Sequence, residues 1–437
     1  MQTVKLFKRT AALFAAIAVA AVSAAVAAFA DGAPLGNGTE ADPYIIRTGA
    51  ELVKIGGSEG GVGYITLAND IDLSAYAGQQ TCIIKKLTGK LDGAGHKITG
   101  LKLTGKEGVR EGWSYVSSHT GLIDELSGSV ENLTISDAVI TDAAKWNYVG
   151  VLAAYIPEGS EAYINNCTVT GKIEGPTTST SYLYIGALVG YADGMKNSGT
   201  TVSFNSCVSN VNNTCSGAAN SGGVMGAISA YVTLNVSCCA VLGNVAASSS
   251  ACGILGFYSS MDDELNISSS YFGGKLRGRS KCGIAYNQRN KPKMQCSKFY
   301  FDTQKNTYTK TLSNEEVDGA TGVTTAEIMA LASTLDGFEA SDEFGGYPVP
   351  KQQTAAAFSV TVDGSNVNVT AAKAGSYSLV LASYFGDALA DVKIQTVTFT
   401  NDGDGQTVSV PDGFTADGRT FRAMLWSGMC PLAKSNN

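Results

Sequence analysis

A short glycine-centred phrase recurs through residues 119–304 and constrains the fold of this chain more than any other feature. Its aligned position is a glycine or a cysteine, at positions 121, 150, 186, 222, 252 and 282, and an aliphatic residue follows within two positions. Successive copies therefore lie 29, 36, 36, 30 and 30 residues apart. A period of roughly 20–50 residues is typical of architectures in which similar units stack on one another.

A second apolar segment follows each phrase and keeps its register from copy to copy. Its first, third and seventh positions form one mostly apolar face, occupied by Leu133, Ile135 and Val139, by Cys167, Val169 and Ile173, by Cys239, Val241 and Val245, and by Ser270, Phe272 and Leu276. No helical period fits between these segments, and a unit of this size cannot bury its apolar face alone. Parallel stacking at about 4.8 Å per coil would give one continuous core. The sequence therefore predicts an all-β, right-handed parallel β-helix, or solenoid.

Short helices are predicted at both ends of the repeat region. Residues 50–55 follow Thr48, a suitable N-cap, and residues 325–332 follow Thr324. Helices at these places would cover the open ends of the stacked sheet, which otherwise expose apolar side chains and unpaired backbone groups.

The remainder of the chain divides into a leader and a second domain. Residues 358–433 contain six short strands separated by Asp-Gly or Ala-Gly turns, a pattern that predicts a small antiparallel, immunoglobulin-like β-sandwich. The predicted organisation is a signal peptide at 1–30, a β-helix with its two caps at 31–352, and the β-sandwich at 353–437.

The first thirty residues predict export. Lys5, Lys8 and Arg9 form a basic region, residues 11–22 are apolar, and the small residues Ala28 and Ala30 frame a cleavage site. The alternative is an uncleaved membrane anchor, since the apolar stretch extends to residue 29 and is just long enough to span. Cleavage would leave no membrane span, and the expected location is extracellular or at the cell surface.

Composition excludes one class of partner. The net charge is −7 and charged residues make up 16% of the chain, so the basic clusters that nucleic acids require are missing. High glycine content, at 51 residues, with few charges suits an all-β extracellular protein.

The ten cysteines receive two different interpretations. Cys167, Cys207 and Cys239 recur at equivalent positions and predict a column of buried thiols inside the solenoid. Cys252 and Cys282 lie one 30-residue period apart, which makes them vertical neighbours and the best candidates for a disulfide. No Cys-x-x-Cys pair or clustered histidine accompanies them, and therefore no metal site is expected.

Four aromatic residues form the candidate binding surface. Trp146 and Tyr182 each lie four residues before an aligned glycine, and Tyr148 and Tyr184 lie two before. Stacking would place them in two short columns that suit a sugar ring or a partner protein. The alternative is that they pad the edge of the solenoid or cover a loop.

No catalytic residue is predicted. Parallel β-helices often host polysaccharide lyases or hydrolases, so an enzyme of that kind is the alternative function, but its site would need converging carboxylates. The available acids, which are Asp124, Asp137, Asp142 and Asp193, do not repeat at coil spacing. His96 is interpreted as a turn residue beside a glycine, and the acidic run at 262–264 as a solvated loop rather than a Ca²⁺ site.

Two phrases carry a resemblance to a known family. Residues 148–155 (YVGVLAAY) and 184–191 (YIGALVGY), each followed by an Asn-Cys strand, resemble the GLUG repeat of bacterial surface proteins. Segments 38–46, 70–73, 91–98 and 346–349 are similar to the ends of such solenoids, so the resemblance covers residues 36–350. It implies a secreted or cell-surface bacterial β-helix of a kind usually without an assigned activity. The lack of converging ionisable groups in the sequence favours a non-enzymatic adhesion, binding or spacer module that recognises a glycan or a protein partner, and no cofactor is expected. Similar repeats accompany IgA-cleaving metallopeptidases, but this chain has no His-Glu-x-x-His motif.

Overall fold

The structure is a computed structural model. It describes residues 34–434 except for 112–113, 142, 145–146, 179–181, 219, 261, 287–291, 307–309, 313–314, 352–358, 364–365, 372–374, 386–387, 402–403, 416–418 and 428–429. The predicted signal peptide at 1–30 lies outside the described residues. Two compact units are present, residues 37–354 and residues 355–437.

The first unit is a right-handed parallel β-helix, as the repeat predicts. Most of its strands belong to one large sheet in which each strand pairs in parallel with its counterpart in the next coil. The first coils contain β1 (Tyr44–Ile46), β2 (Val62–Leu67), β3 (Ile71–Asp72), β4 (Cys82–Asp92), β5 (Lys97–Thr99) and β6 (Lys102–Thr104). An antiparallel pair, β7 (Val109–Glu111) and β8 (Ser114–Val116), follows them.

The central coils repeat the same strand order with little change. They contain β9 (Ser118–Leu126), β10 (Ser129–Glu131), β11 (Thr134–Thr141), β12 (Asn147–Gly150), β13 (Ala153–Ile156), β14 (Glu161–Asn165), β15 (Thr168–Ile173), β16 (Leu183–Gly186), β17 (Val189–Ala192), β18 (Thr201–Asn205), β19 (Val208–Asn213), β20 (Asn220–Gly222) and β21 (Met225–Ile228). They continue with β22 (Thr233–Ser237), β23 (Ala240–Val241), β24 (Val245–Ala246), β25 (Ser250–Cys252), β26 (Leu255–Tyr258), β27 (Glu264–Phe272), β28 (Leu276–Arg277), β29 (Ser280–Ala285) and β30 (Lys293–Asp302). The last coil ends with β31 (Lys310–Leu312), β32 (Ala320–Val323) and the antiparallel pair β33 (Phe338–Ala340) and β34 (Pro348–Pro350).

The predicted cysteine column is confirmed. Thr168 pairs with Val208 and Val208 pairs with Ala240, so the preceding residues Cys167, Cys207 and Cys239 lie one above another, at most 1% exposed. Each thiol donates to the carbonyl oxygen two residues before it, at 3.1–3.3 Å. In the next coil the column position is Ser270, whose hydroxyl makes the equivalent bond at 2.7 Å. The column therefore accepts small side chains that donate one hydrogen bond to their own strand.

A left-handed corner precedes this column in every central coil. Its residues have φ between 44° and 53° and are Asn132, Asn166, Ser206, Cys238, Ser269 and Lys298. The Nδ2 of Asn166 donates to Oδ1 of Asn132 at 2.9 Å, and Nδ2 of Asn132 donates to Oδ1 of Asp92 at 3.1 Å. Asparagine tolerates the left-handed conformation better than most residues, and its amide extends the ladder from coil to coil. Asp92 therefore lies at the end of this hydrogen-bonded ladder of side chains and has a structural role.

Both predicted capping helices are present. Helix α1 (Gly49–Gly56) begins after Thr48, whose hydroxyl accepts from the Glu51 amide, and its Leu52 is buried in the solenoid core. Helix α2 (Thr325–Ala330) begins with a capping box between Thr324 and Glu327. It ends at Ala330, two residues earlier than predicted, because a 3₁₀ turn continues the chain over residues 331–333. No helix in the described part of the chain is long and apolar enough to cross a bilayer.

The second unit consists of two antiparallel sheets that enclose a separate apolar core. One sheet has the order β35-β36-β39 and the other β38-β37-β40-β41, which makes a small β-sandwich. Their bounds are β35 (Ser359–Asp363), β36 (Asn366–Thr370), β37 (Gly375–Phe385), β38 (Ala388–Phe399), β39 (Gly405–Ser409), β40 (Arg419–Ser427) and β41 (Cys430–Lys434). The strand β41 was not predicted. It contains Pro431, which lacks an amide donor, and proline is accepted at this place because β41 lies at the edge of its sheet.

Candidate functional site

The glycine phrase forms a sharp bend between two short strands, which we call the arch. The sequence predicts one strand centred on each aligned position. This is confirmed at positions 121 and 282, where β9 and β29 are continuous, and is corrected at positions 150, 186, 222 and 252, where the strand is divided in two. Residues 147–150 and 153–156 form separate strands on either side of the bend, and so do 183–186 and 189–192. A Cβ atom on Gly226 would lie 2.4 Å from the carbonyl oxygen of Gly190 and 2.8 Å from the Ile185 amide nitrogen. Gly190 is the counterpart of Gly226 in the preceding coil, and Ile185 lies on the other arm there, so this glycine lets backbones approach closely both between coils and across the arch.

Five aromatic rings occupy the outer side of the arches in three consecutive coils. We call this cluster the aromatic notch, and its members are His119, Tyr148, Tyr155, Tyr184 and Tyr191. Tyr148 pairs in register with His119 in the previous coil and with Tyr184 in the next, and Tyr155 pairs with Tyr191. The arch brings the two rows together, so Tyr148 and Tyr155 lie 5.9 Å apart between ring centroids.

The rings of the aromatic notch stack mainly on one another. The centroids of Tyr148 and Tyr191 are 4.3 Å apart with an interplanar angle of 11°, and His119 lies 4.9 Å from Tyr155. All five side chains are half-buried. Because much of each ring face contacts another ring, the notch offers solvent mainly ring edges and phenolic hydroxyls.

A polar rim borders the aromatic notch. His119 Nδ1 lies 2.5 Å from Asp124 Oδ1. The Tyr155 hydroxyl donates to Asp193 Oδ2 at 3.3 Å, and the Ser229 hydroxyl donates to Asp193 Oδ1 at 2.6 Å. Both carboxylates therefore have hydrogen-bond partners within the notch itself.

The phenols of the aromatic notch remain neutral at physiological pH. Burial raises the pKa of Tyr184 to about 12. Burial, assisted by the negative charge of Asp193, raises the pKa of Tyr148 and Tyr155, and burial also raises the pKa of Tyr191. A neutral phenol donates and accepts hydrogen bonds but is a poor proton acceptor. The notch is therefore suited to binding contacts.

The four predicted aromatic residues have different placements. Tyr148 and Tyr184 lie in the aromatic notch, in the vertical register that the repeat predicts. Tyr182 lies next to it and is 52% exposed, with a positive φ of 58°. Trp146 lies outside the described residues.

Three members of the notch were missed in the sequence. Tyr155 and Tyr191 each follow an aligned glycine by five residues, and this repeated spacing is the sequence signal that identifies them. His119 occupies the position equivalent to Tyr148 in the preceding copy. Because this copy carries histidine where the next two carry tyrosine, the sequence does not show the position as part of a tyrosine column.

The two cysteines of the predicted disulfide also lie at the arch. Cys252 pairs in register with Cys282, and both are buried beside Tyr286 in a small cluster apart from the main core. The structure records both as thiols. Their vertical placement is the one predicted, and the disulfide remains a prediction.

Two acids of the 262–264 run have structural partners, whereas Asp137 is exposed and Asp142 lies outside the described residues. Asp263 accepts from the amides of Val232, Ser259 and Ser260, and Glu264 pairs with Lys293 at 3.1 Å. His96 lies at the turn, as interpreted, with its Nδ1 3.4 Å from Asp70 Oδ1. Within the described ranges, no three side chains of histidine, cysteine, aspartate or glutamate lie together in a way that could hold a metal ion.

Comparison with known proteins supports the fold. No protein-family model matches the chain, and no curated protein matches it. Among solved structures, the crystal structure of a putative immunoglobulin A1 protease from Bacteroides ovatus matches with a TM-score of 0.50 and 17% identity. The match covers 73% of this chain and 95% of that one. At this identity the similarity concerns the fold alone.

Proposed function

We propose that this chain is a secreted or cell-surface bacterial protein of the GLUG-repeat type that binds a glycan or a partner protein without catalysing a reaction. The observation that supports this function best is the aromatic notch, where five rings from three coils form one continuous surface. Aromatic clusters with polar rims are common at recognition surfaces because they combine apolar area with hydrogen-bonding groups.

The chemistry of the aromatic notch favours binding over catalysis. Its phenols are neutral, and its two carboxylates already accept hydrogen bonds from neighbouring side chains. A ligand would meet ring edges, hydroxyl groups and the exposed ring of Tyr182. Sugar rings and aromatic-rich protein surfaces both offer complementary groups to such a surface.

A glycan array probed with the purified full-length chain tests this function. We expect binding to at least one glycan, and we expect Tyr182→Ala combined with Tyr184→Phe to weaken it about tenfold. The Phe substitution keeps the stacked ring and removes only its hydroxyl, so the fold is retained. Phe385→Ala serves as the matched control, because Phe385 is 67% exposed and lies in the other unit. An array without signal, together with no capture of a bacterial or host surface protein, would contradict the proposal.

One observation favours a second candidate, a polysaccharide lyase or hydrolase. His119 and Asp124 form a 2.5 Å pair in which the carboxylate orients the imidazole, an arrangement suited to proton transfer. Release of reducing ends from pectin or xylan, assayed with the wild type and with His119→Gln, distinguishes the two functions. We expect no release from either protein, and release that disappears in the variant would favour the enzyme.

A further inference from the structure

The outer face of one solenoid sheet carries a polar groove that is separate from the aromatic notch. The polar groove is lined by residues 235–237, 266–268 and 295–297, which come from three consecutive coils, and its volume is about 420 Å³. Small-ligand sites commonly have volumes of roughly 300–1,000 Å³. The groove is therefore large enough to receive part of an extended ligand.

Strand alternation decides which side chains line the polar groove. Along β22 and β27, Val236 and Ile267 point into the solenoid core and are at most 2% exposed, so their neighbours point outward. Register then aligns the outward side chains in two rows across the coils. One row is Ser203, Asn235, Asn266 and Gln295, and the other is Asn205, Ser237, Ser268 and Ser297.

Hydrogen bonds within the first row fix its orientation. The Nδ2 of Asn266 donates to Oδ1 of Asn235 at 2.9 Å, and Nδ2 of Asn235 donates to Oγ of Ser203 at 3.0 Å. The amide groups are thus ordered before any ligand arrives, which lowers the entropic cost of binding.

Other polar groups in the groove remain available to a ligand. The side chains of Ser268, Gln295 and Ser297 make no hydrogen bond to another described residue, and Gln295 and Ser297 are exposed. Hydroxyl and amide groups both donate and accept, which matches the hydroxyl groups of a sugar.

The charge around the polar groove indicates a neutral ligand. None of its lining residues is charged, and the adjacent Glu264 and Lys293 neutralise each other in an ion pair of 3.1 Å. Tyr163 continues the first row beyond Ser203 and is 48% exposed, which places an aromatic ring in line with the amides. The exposed Lys298 follows Ser297 but is not among the lining residues, so the lining itself offers a polyanion no cation.

We propose that the polar groove binds a neutral polysaccharide, with the sugar chain running along the solenoid axis past Asn235, Asn266 and Gln295 toward Tyr163. This inference deepens the proposed binding function, since it names a ligand class and a second site. The groove proposal depends on the proposed function in one respect, which is that the protein binds its ligand without degrading it.

Isothermal titration calorimetry with the full-length chain tests the proposal. The probes are cellohexaose, mannohexaose and xylohexaose, with hexagalacturonic acid as the charged comparison. We expect at least one neutral hexasaccharide to bind and the charged one not to bind. Gln295→Ala combined with Ser297→Ala should weaken binding by at least about tenfold, because two hydrogen-bonding groups are removed.

The matched control is Ser58→Ala combined with Gln79→Ala. It removes the same two residue types from exposed positions near the other end of the solenoid, and it should leave the affinity unchanged. Circular dichroism of both double variants should match that of the wild type.

Three results would overturn the groove proposal. They are the absence of neutral-sugar binding, equal binding of hexagalacturonic acid, and a Gln295→Ala/Ser297→Ala variant that binds as well as the wild type. If the Gln295→Ala/Ser297→Ala variant binds the sugar normally and the Tyr182→Ala/Tyr184→Phe variant does not, the ligand occupies the aromatic notch. In that case the groove proposal fails while the proposed binding function stands.

Discussion

Tyr148 and Tyr191 stack at 4.3 Å although they belong to different coils and to opposite arms of the arch. Tyr148 also lies 5.5 Å from His119 in the coil before it and 6.0 Å from Tyr184 in the coil after it. One ring thus connects three coils outside the core. The aromatic notch therefore stabilises the stack as well as offering a surface for binding.

Replacing Tyr148 should destabilise the solenoid measurably. We expect Tyr148→Ala to lower the free energy of unfolding by about 2–4 kcal/mol, because a half-buried ring and its stacked contacts are lost. Tyr148→Phe keeps the ring and should cost less than about 1 kcal/mol. Tyr163→Ala is the control, expected within about 0.5 kcal/mol of the wild type because that ring is 48% exposed. Urea denaturation followed by circular dichroism gives the comparison, and equal midpoints for Tyr148→Ala and wild type would refute it.

A methyl group at the arch should be poorly tolerated. We expect Gly226→Ala to cost about 3 kcal/mol or more, since its Cβ would lie 2.4 Å from the Gly190 carbonyl oxygen and backbone atoms cannot rotate away. Gly60→Ala should be neutral or slightly stabilising, because nothing lies within 4 Å of the added atom. Thermal unfolding of the two variants separates steric conflict at the arch from a general effect of removing glycine. A Gly226→Ala protein as stable as Gly60→Ala would show that the neighbouring backbones can move apart at little cost.

The pair Cys252 and Cys282 should form a disulfide when the protein is exported to an oxidising environment. Adjacent parallel strands are about 4.8 Å apart, which lies within the usual Cα separation of bridged cysteines. Closing a loop of roughly 30 residues should stabilise the fold by about 3.6 kcal/mol. Alkylation in denaturant without reductant, followed by peptide mass analysis, should leave these two cysteines unlabelled while Cys207 is labelled. Labelling of both Cys252 and Cys282 would exclude the bond.

Asp263 should make the solenoid less stable as pH rises from about 4 to 6. Burial raises the pKa of Asp263 from 3.8 to about 6, so the folded chain keeps a proton that the unfolded chain releases in this window. The free energy of unfolding attributable to this group then falls by roughly 3 kcal/mol with rising pH and is constant above about pH 6.

Two variants isolate this effect. Asp263→Asn should remove the fall between pH 4 and pH 7, measured as the difference from wild type in urea denaturation at each pH. Asp262→Asn, at the exposed neighbouring position, should leave the pH dependence intact. Parallel pH profiles for the wild type and Asp263→Asn would contradict the assignment.

The solenoid was predictable because its strongest signals are periodic. Equal offsets placed Cys167 above Cys207 and Cys239, and the capping threonines Thr48 and Thr324 marked both terminal helices. The arch was not predictable in the same way. Two short strands joined by a bend and one longer strand both appear in the sequence as a single run of apolar residues and glycines. Tyr155 and Tyr191 reach Tyr148 only because the chain bends after Gly150 and after Gly186, and the sequence does not distinguish these bends from a continuing strand.

The polar groove was also beyond the reach of the sequence. Its residues Asn235, Asn266 and Gln295 are ordinary outward-facing polar side chains, and nothing in their spacing separates a ligand site from a solvated surface. Their significance comes from a shared register and from the amide hydrogen bonds that order them. This alignment of side chains from different coils is visible only in the three-dimensional structure.

The left-handed corners at Asn132, Asn166 and Ser206 repeat one backbone geometry at each coil, independent of how many residues lie in the intervening loops. Loops can therefore lengthen or shorten at the surface while the corner keeps the following strand in phase. The same device is compatible with the gain or loss of whole coils during evolution, so that the length of the solenoid changes in uniform steps without redesign of its interior.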